Sequence, residues 1–336
     1  MQMNPVQAVD RVETTIVVDN LTDNLSSAPD FVETEWQANI RRRGDHWTLS
    51  GNCLCCAAHG LSCLVTVQAG DQKGTLLFDT GPGDQTFEQN VSRLGLSLSS
   101  VQEIVLSHGH WDHSGAMLKA LEIIRNGNGG KPVPCHTHPD MYFKRALKTP
   151  SGKFIMMEDV PSIEQLEDNG ATVINTKEPQ AILDNLVYIS GEIPRVTSFE
   201  VGFPNHYRKN PEAGSWEPDE SIMDERFVAI HLKDKGLVVF SACSHAGIVN
   251  VMEHAKACFE GLPIHAVVGG FHLSGAVHEK IIPQTVDAME RINPHYIAAG
   301  HCTGWRATSA LLNRFGDDRV IPLSVGKTFS FAADAD

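Results

Sequence analysis

Basic residues are scarce. Lys and Arg number 27 against 41 Asp and Glu, a formal net charge of −14 over 336 residues. Nucleic acid or an anionic membrane as a bulk partner needs a basic footprint, so neither is expected; a local basic pocket for a small anionic substrate stays open. Long apolar runs are missing as well. No stretch approaches the roughly 18 apolar residues of a membrane helix. Met1 to Asn20 carries Asp10, Glu13 and Asp19 and lacks the continuous apolar run of a secretory signal. Cysteine is too thin for a disulfide scaffold: the 8 cysteines include a crowded trio, Cys53, Cys55 and Cys56, as a reducing compartment permits. A cytoplasmic protein is expected. There is no Gly-x-Ser-x-Gly elbow, no phosphate loop of the Gly-x-x-x-x-Gly-Lys type and no dinucleotide fingerprint. What is present is globular composition, 42% hydrophobic and 20% charged, which excludes wholesale disorder.

The length allows one large α/β domain or two smaller ones. Residues 1–12 read as a loose tail. Thr14 to Val18 reads as a strand, and Asn20 to Gly51 is polar and rich in turn formers. Strands follow at Leu61–Val67 and Gly74–Phe78, a helix at Phe87–Leu94 and a short buried strand at Ile104–Leu106. Ser114 to Arg125 has helical spacing and stops at Asn126-Gly127-Asn128-Gly129-Gly130. Residues 145–225 form the least regular stretch, an insert expected to shape the substrate cleft. Beyond it come a hairpin, Phe227–Leu232 with Leu237–Phe240, and a helix at Ile248–Phe259. Strands at Ala266–Val268, Tyr296–Ala299 and Val320–Leu323 then alternate with helices at Lys280–Ile292 and Ala307–Phe315. Strand pairs and hairpins in two similar halves suggest helices packed outside two sheets, in a single domain over 1–336.

The chemistry concentrates in Ser107-His108-Gly109-His110-Trp111-Asp112-His113-Ser114-Gly115, which directly follows the buried strand. Neutral imidazoles and a carboxylate are ligands for a borderline Lewis acid such as zinc. On a tight loop His108 and His110 can project onto one ion, while Asp112 and His113 turn toward a second.

His108-x-His110-x-Asp112-His113 resembles the metal-binding motif of the metallo-β-lactamase superfamily, and Leu77-Phe78-Asp79-Thr80-Gly81 resembles its strand-ending Asp-Thr-Gly. Other segments resemble one branch, the dihydropterin-ribofuranosylaminobenzene-phosphate-synthase-like proteins. They are His59-Gly60-Leu61-Ser62, Gly191-Glu192-Ile193-Pro194-Arg195, Cys243-Ser244-His245-Ala246-Gly247-Ile248-Val249-Asn250, Gly269-Gly270-Phe271-His272-Leu273 and His301-Cys302-Thr303-Gly304. The resemblance implies a four-layer αββα sandwich with a binuclear metal centre at the sheet edges. It implies His108 and His110 on the first ion, and Asp112, His113 and His301 on the second. The usual third histidine of the first ion has no counterpart in Asp219 to Arg226, and the usual bridging aspartate is replaced by Ser241-Ala242-Cys243-Ser244-His245. His245 is the candidate for the missing imidazole, with Cys243 as the alternative thiolate. Zinc is expected, as one or two ions, with manganese or iron as substitutes. The di-iron branch carries glutamate where this chain has His110, which favours hydrolysis over redox chemistry.

Asp79 is expected to hold a ligand histidine by a hydrogen bond rather than to touch metal. His272 should face the cleft and contact substrate; His59 is a weaker candidate of the same kind. His138 reads as loop structure, and Cys53, Cys55 and Cys56 as buried thiols. Arg195, His206, Arg208 and Lys209 could serve a phosphate, and Phe199, Phe203, Tyr207 and Trp216 a flat ring. The expected function is a metal-dependent hydrolase using a metal-bound hydroxide on an ester, lactone, amide or similar small-molecule bond, with Asp112 and His272 as catalytic residues. The alternatives are a phosphoester hydrolase or pterin-linked phosphate transferase, and a non-catalytic metal-containing binding protein. A small molecule is the expected partner, and a homo-oligomer stays open.

Overall fold

The computed structural model describes residues 6–44 and 47–334. Among them the strands form three sheets, of eight, six and four strands. The two larger sheets face each other. The layer between them is filled by Val12, Ile16, Val65, Val67, Leu76 and Phe78 from one sheet and Val228, Ile230, Val238, Phe240 and Val268 from the other. Strand neighbours point the opposite way: Leu237, Val239, Val267 and Ile297 pack under the helices Ile248–Cys258, Ile282–Ile292 and Trp305–Phe315. On the other side, Leu77, Ile104, Val133 and Cys135 meet the helices Asp84–Leu94 and Met117–Gly127. Side chains alternate faces along a strand, so a strand covered on both faces must be apolar throughout. That is why Gly236–Ser241 is buried at every position. The result is the αββα sandwich.

Several expectations change. Met1 to Pro5 lie outside the described residues. Residues 6–12 are not a loose tail: Val6 and Val9 are buried, Val9 bridges Leu232, and Arg11 already opens the strand Arg11–Val18. The polar stretch after Asn20 holds a helix, Glu35–Arg43, with a capping box between Thr34 and Gln37. The helix expected from Ser114 is split into Trp111–Ser114 and Met117–Gly127. Val320–Leu323 is buried but forms only an isolated bridge, and the last strand is Thr328–Ala332, paired antiparallel with Arg11–Val18. The stretch 145–225 is more regular than expected. Arg145–Lys148, Phe154–Met156, His206–Lys209 and Trp216–Pro218 make the four-stranded sheet, while Ala171–Asn175 and Val187–Ile189 join the two main sheets.

Seven strands run parallel to a neighbour: Gln72–Phe78, Glu103–Val105, Val133–Thr137 and Ala171–Asn175 in one sheet, and Gly236–Ser241, Ile264–Gly270 and Tyr296–Gly300 in the other. The carboxyl ends of parallel strands are where α/β folds place their ligands. Here they deliver Asp79, the 108–113 loop, Cys243, His245, His272 and His301 to one region.

His265, on the strand Ile264–Gly270, shows how burial couples to pH. Burial and the stacked His295 ring, 5.4 Å away, push its pKa down to about 4. The unfolded chain then binds more protons between the ordinary value and 4, so stability falls as pH drops through that window. The full shift corresponds to roughly 3 kcal/mol, and partial access of water lowers this to about 1–2 kcal/mol. Urea unfolding of His265→Phe beside the wild type at pH 7 and pH 4 is expected to show the variant losing less stability on acidification by that amount. Equal losses would remove His265 from the acid response.

Candidate metal centre

Asp79 ends its strand in the left-handed region, at φ 57°, and is fully buried. Its Oδ1 accepts from Ser107 N at 2.7 Å, and its Oδ2 accepts from Ser107 Oγ and from His113 Nδ1, both at 2.7 Å. Because the Ser107 hydroxyl donates to Asp79, it accepts from His108 Nδ1 at 2.9 Å. One carboxylate thus fixes two imidazoles with their Nε2 lone pairs free, the arrangement a ligand histidine needs. Asn20 does the same for His301: its Oδ1 accepts from His301 Nδ1 at 3.1 Å. Hydrogen positions here follow from the donor and acceptor network.

His206 completes the pattern for His110. Its Nδ1 donates to the Asp219 carbonyl at 2.9 Å, so its Nε2 accepts from His110 Nε2 at 3.0 Å. That leaves the His110 Nδ1 lone pair facing His108 Nε2 at 3.0 Å. His245 Nε2 lies 3.2 Å from the same His108 atom, while its Nδ1 is buried with no hydrogen-bond partner among the described residues. A second group gathers beside the first. Cys243 Sγ is 3.3 Å from His113 Nε2 and 3.2 Å from His301 Nε2, and Asp112 Oδ2 is 3.6 Å and 3.4 Å from the same two nitrogens.

Lone pairs that face each other with no proton between them repel. Donors sharing a tetrahedral zinc, with bonds of 2.0–2.3 Å, stand roughly 3.3–3.6 Å apart. The separations here run from 3.0 to 3.6 Å, at or slightly inside that spacing, so the donor set fits one or two divalent ions after a small opening. His108, His245 and Cys243 bring donor atoms together at one position, with His110 beside His108; His113, His301 and Cys243 do so at the other, where Asp112 joins His301 and His59. Burial holds the pKa values of His108, His110, His245 and His301 well below the ordinary value, which keeps them in the neutral, ligating form. Burial opposes charge on His113 too, but the carboxylates of Asp112 and Asp79 outweigh it and raise its pKa.

Three residues in the chain segment 224–226 and one glycine keep the loops in place. Asp224 accepts from Gly109 N at 2.8 Å and from Arg145 Nη2 at 2.5 Å. Glu225 accepts from the backbone of His245 at 2.7 Å and of Ala246 at 2.6 Å; burial pushes its pKa up to about 7. Arg226 is fully buried and donates to the Leu106 carbonyl. Gly109 separates the two histidines because a Cβ there would lie 2.5 Å from the Met141 carbonyl oxygen.

The residues expected to bind metal therefore share one buried region, and the two alternatives, His245 and Cys243, both reach it. His272 lies on its wall, with its ring 4.3 Å from that of His245 and 4.8 Å from Phe203. His59 is exposed, yet its Nε2 is 3.4 Å from Asp112 Oδ2. His138 caps the short turn Pro139–Tyr142 through Nδ1 and lies 3.4 Å from Glu192, away from this set. Of the cysteine trio only Cys55 is buried. The expected phosphate cluster does not assemble. Arg195 is spent on the carbonyls of Ile193, Ser221 and Ile222, and Arg208 on Glu217 and Asp140; only His206 of that group reaches the site. Of the four aromatics, Phe203 stacks on His245 at 5.4 Å and on His206 at 5.6 Å, whereas Tyr207 and Trp216 pack on Phe154. Phe199 packs against the core. A cleft of about 500 Å³ between the helix Glu35–Arg43 and the strands Arg11–Val18 and Thr328–Ala332 is lined by no histidine or cysteine. Its Arg11 and Arg41 already pair with Glu13 and Glu33.

Comparison with known proteins agrees with this geometry. A family model described as the metallo-beta-lactamase superfamily matches residues 60–180. A Methanocaldococcus jannaschii protein named 7,8-dihydropterin-6-methyl-4-(beta-D-ribofuranosyl)-aminobenzene-5'-phosphate synthase is 28% identical over 279 residues, 81% of this chain and 90% of that protein. The uncharacterized protein MJ0448 of the same organism is 30% identical over 261 residues, 77% of this chain and 90% of that protein. In fold, the chain is similar to the crystal structure of Tm1679, described as a metal-dependent hydrolase of the beta-lactamase superfamily, with TM-score 0.69 and 20% identity over 96% of this chain and 100% of that one. It is also similar to the metallo-beta-lactamase fold protein YhfI from Bacillus subtilis, with TM-score 0.52 and 11% identity over 96% and 100%. Sheet order, metal-type donor set and relatives converge: the chain belongs to the metallo-β-lactamase superfamily.

Proposed function

We propose that the protein is a metal-dependent hydrolase acting on an ester, lactone, amide or similar small-molecule bond. The observation that carries this reading is the meeting of the His108, His110, His113, His245 and His301 ring nitrogens beside the Asp112 carboxylate. When bound, a divalent cation supplies Lewis acidity toward a carbonyl or phosphoryl oxygen and lowers the pKa of water toward neutrality. Asp112 orients the attacking water and takes its proton on the carboxylate oxygen that does not face His113 and His301. Asn20 Nδ2 donates to His59 Nδ1 at 3.1 Å, so His59 carries its proton at Nε2, facing Asp112 Oδ2 and open to solvent. From Nε2 His59 faces the Asp112 carboxylate as a donor and holds it in position toward the water. His272 contacts the substrate, and Phe203 excludes water over His245. The unpaired thiols Cys243 and Cys302 suit a cytoplasmic protein.

The name of the 28% identical relative favours a second reading, chemistry on a pterin-linked phosphate. The engagement of Arg195 and Arg208 elsewhere supports the first reading over it. The purified protein is expected to contain about one to two equivalents of zinc, or of manganese or iron, because availability and geometry select the ion. It is expected to hydrolyse members of a panel of esters and lactones, to lose that activity to a chelator and to regain it with zinc. Turnover confined to phosphoesters would establish the second reading. Active protein free of transition metal, or metal-loaded protein inert on the whole panel, would overturn the hydrolase reading.

A further inference from the structure

Three adjacent parallel strands, Gly236–Ser241, Ile264–Gly270 and Tyr296–Gly300, each deliver one soft or borderline donor two positions past their ends: Cys243, His272 and Cys302. The sulfurs of Cys243 and Cys302 are 3.4 Å apart. One donor atom from each of the three residues lies within 4.8 Å of the others. We propose that these residues form a further cation position, built for a soft, thiophilic metal ion and sharing Cys243 with the centre described above.

Several independent features point to a ligand there. His272 is held in the left-handed region at φ 45°, and its Nδ1 is buried without a hydrogen-bond partner among the described residues. Strain of this kind persists where the surroundings impose it, and it clusters at functional sites. Cys302 Sγ accepts the His272 backbone N–H at 3.3 Å, which ties the two residues together at this position. Gly270 makes the room: a Cβ there would lie 2.7 Å from Cys302 Sγ and 2.4 Å from the Ala242 carbonyl oxygen. Two sulfurs on one tetrahedral zinc stand roughly 3.7 Å apart, so this pair needs only a small opening. Thiolates select thiophilic ions over harder ones. Binding releases the two thiol protons to solvent and changes no oxidation state. A filled position draws Cys243 away from His113 and His301 and takes His272 from the substrate, so excess soft metal acts as an inhibitor.

The test uses the full, zinc-loaded chain with the outlying thiols Cys53, Cys56 and Cys258 replaced by serine. Cadmium chloride is titrated in while the ultraviolet thiolate-to-cadmium band is followed, and sulfur neighbours of cadmium are counted by X-ray absorption. Two sulfur neighbours on one added cadmium are expected. Cys302→Ala is expected to leave one, halving the band and raising the Kd at least tenfold. His272→Asn is expected to keep two sulfurs while raising the Kd at least tenfold. Overturning results are one sulfur or none in the parent chain, a Cys302→Ala titration indistinguishable from the parent, or a Cys243–Cys302 disulfide in place of the cadmium complex. The parent sulfur count decides the matter even if a variant fails to fold. None of these readouts depends on hydrolysis, so the proposal stands or falls apart from the hydrolase reading.

Discussion

Asp112→Asn is expected to fold normally, to keep at least one metal ion and to lose turnover by roughly 10²–10⁴-fold, the range for a group that moves a proton in the transition state. The asparagine preserves shape and removes charge and basicity. Its neighbours stay put, because His113 is held by Asp79 and His301 by Asn20, neither of which touches the Asp112 carboxylate. His108, His110 and His245 form a separate group, so the first metal position survives. The measurement is turnover on the best substrate beside metal analysis of the same sample. Turnover near wild type with metal intact would show that the water is positioned by another group, and the mechanism proposed for Asp112 and His59 would fall.

His245→Ala is expected to lose about one equivalent of metal and, with it, turnover by about 100-fold or more. Even partners that only orient a ligand cost 10–100-fold in affinity or activity when removed. His245 faces His108 at 3.2 Å and stands on a backbone pinned twice by Glu225, so truncation to alanine removes the imidazole while the loop keeps its place. Cys243→Ser is the companion. If sulfur is a ligand of the second position, metal falls there while the first position stays filled. Unchanged stoichiometry and turnover in His245→Ala would return that residue to a structural role.

The legible part of this site was the part contiguous in sequence. His108 to His113 announce themselves because one loop carries all four donors. The hydrogen bond expected from Asp79 to a histidine of that loop is present, to His113 Nδ1. His206 was grouped with cations instead. It reaches His110 from the strand His206–Lys209, and only the small antiparallel sheet, formed across residues far apart in the chain, brings it there. Asn20, Asp224 and Glu225 were passed over for the same reason: each acts on a histidine or a loop backbone distant in sequence. Strand reading failed where burial and pairing part company. Val320 to Leu323 is apolar because it covers the core, yet its amides reach only one neighbouring strand, through Ile321 N to Ile297 O and Leu323 N to Ala299 O. Thr328–Ala332 has the alternation of a half-buried strand, with Phe329 and Phe331 inward, but at five residues it is too short for that pattern to stand out in the sequence.

That last strand also sets the order in which the molecule can be made. It lies between Val32–Glu33 and Arg11–Val18, in the same sheet whose far strands deliver Asp79 and the 108–113 loop. During synthesis the strand Arg11–Val18 emerges roughly 300 residues before its partner and waits with one edge unpaired until residues 328–332 have been made. Open edges invite pairing with other chains, and contacts of such large sequence separation form slowly. A nascent chain stalled before residue 328 would hold every candidate metal ligand named above and still lack the strand that pairs with Arg11–Val18. Yield in the cell should therefore depend on chaperone supply and on the pace of translation between the two strands.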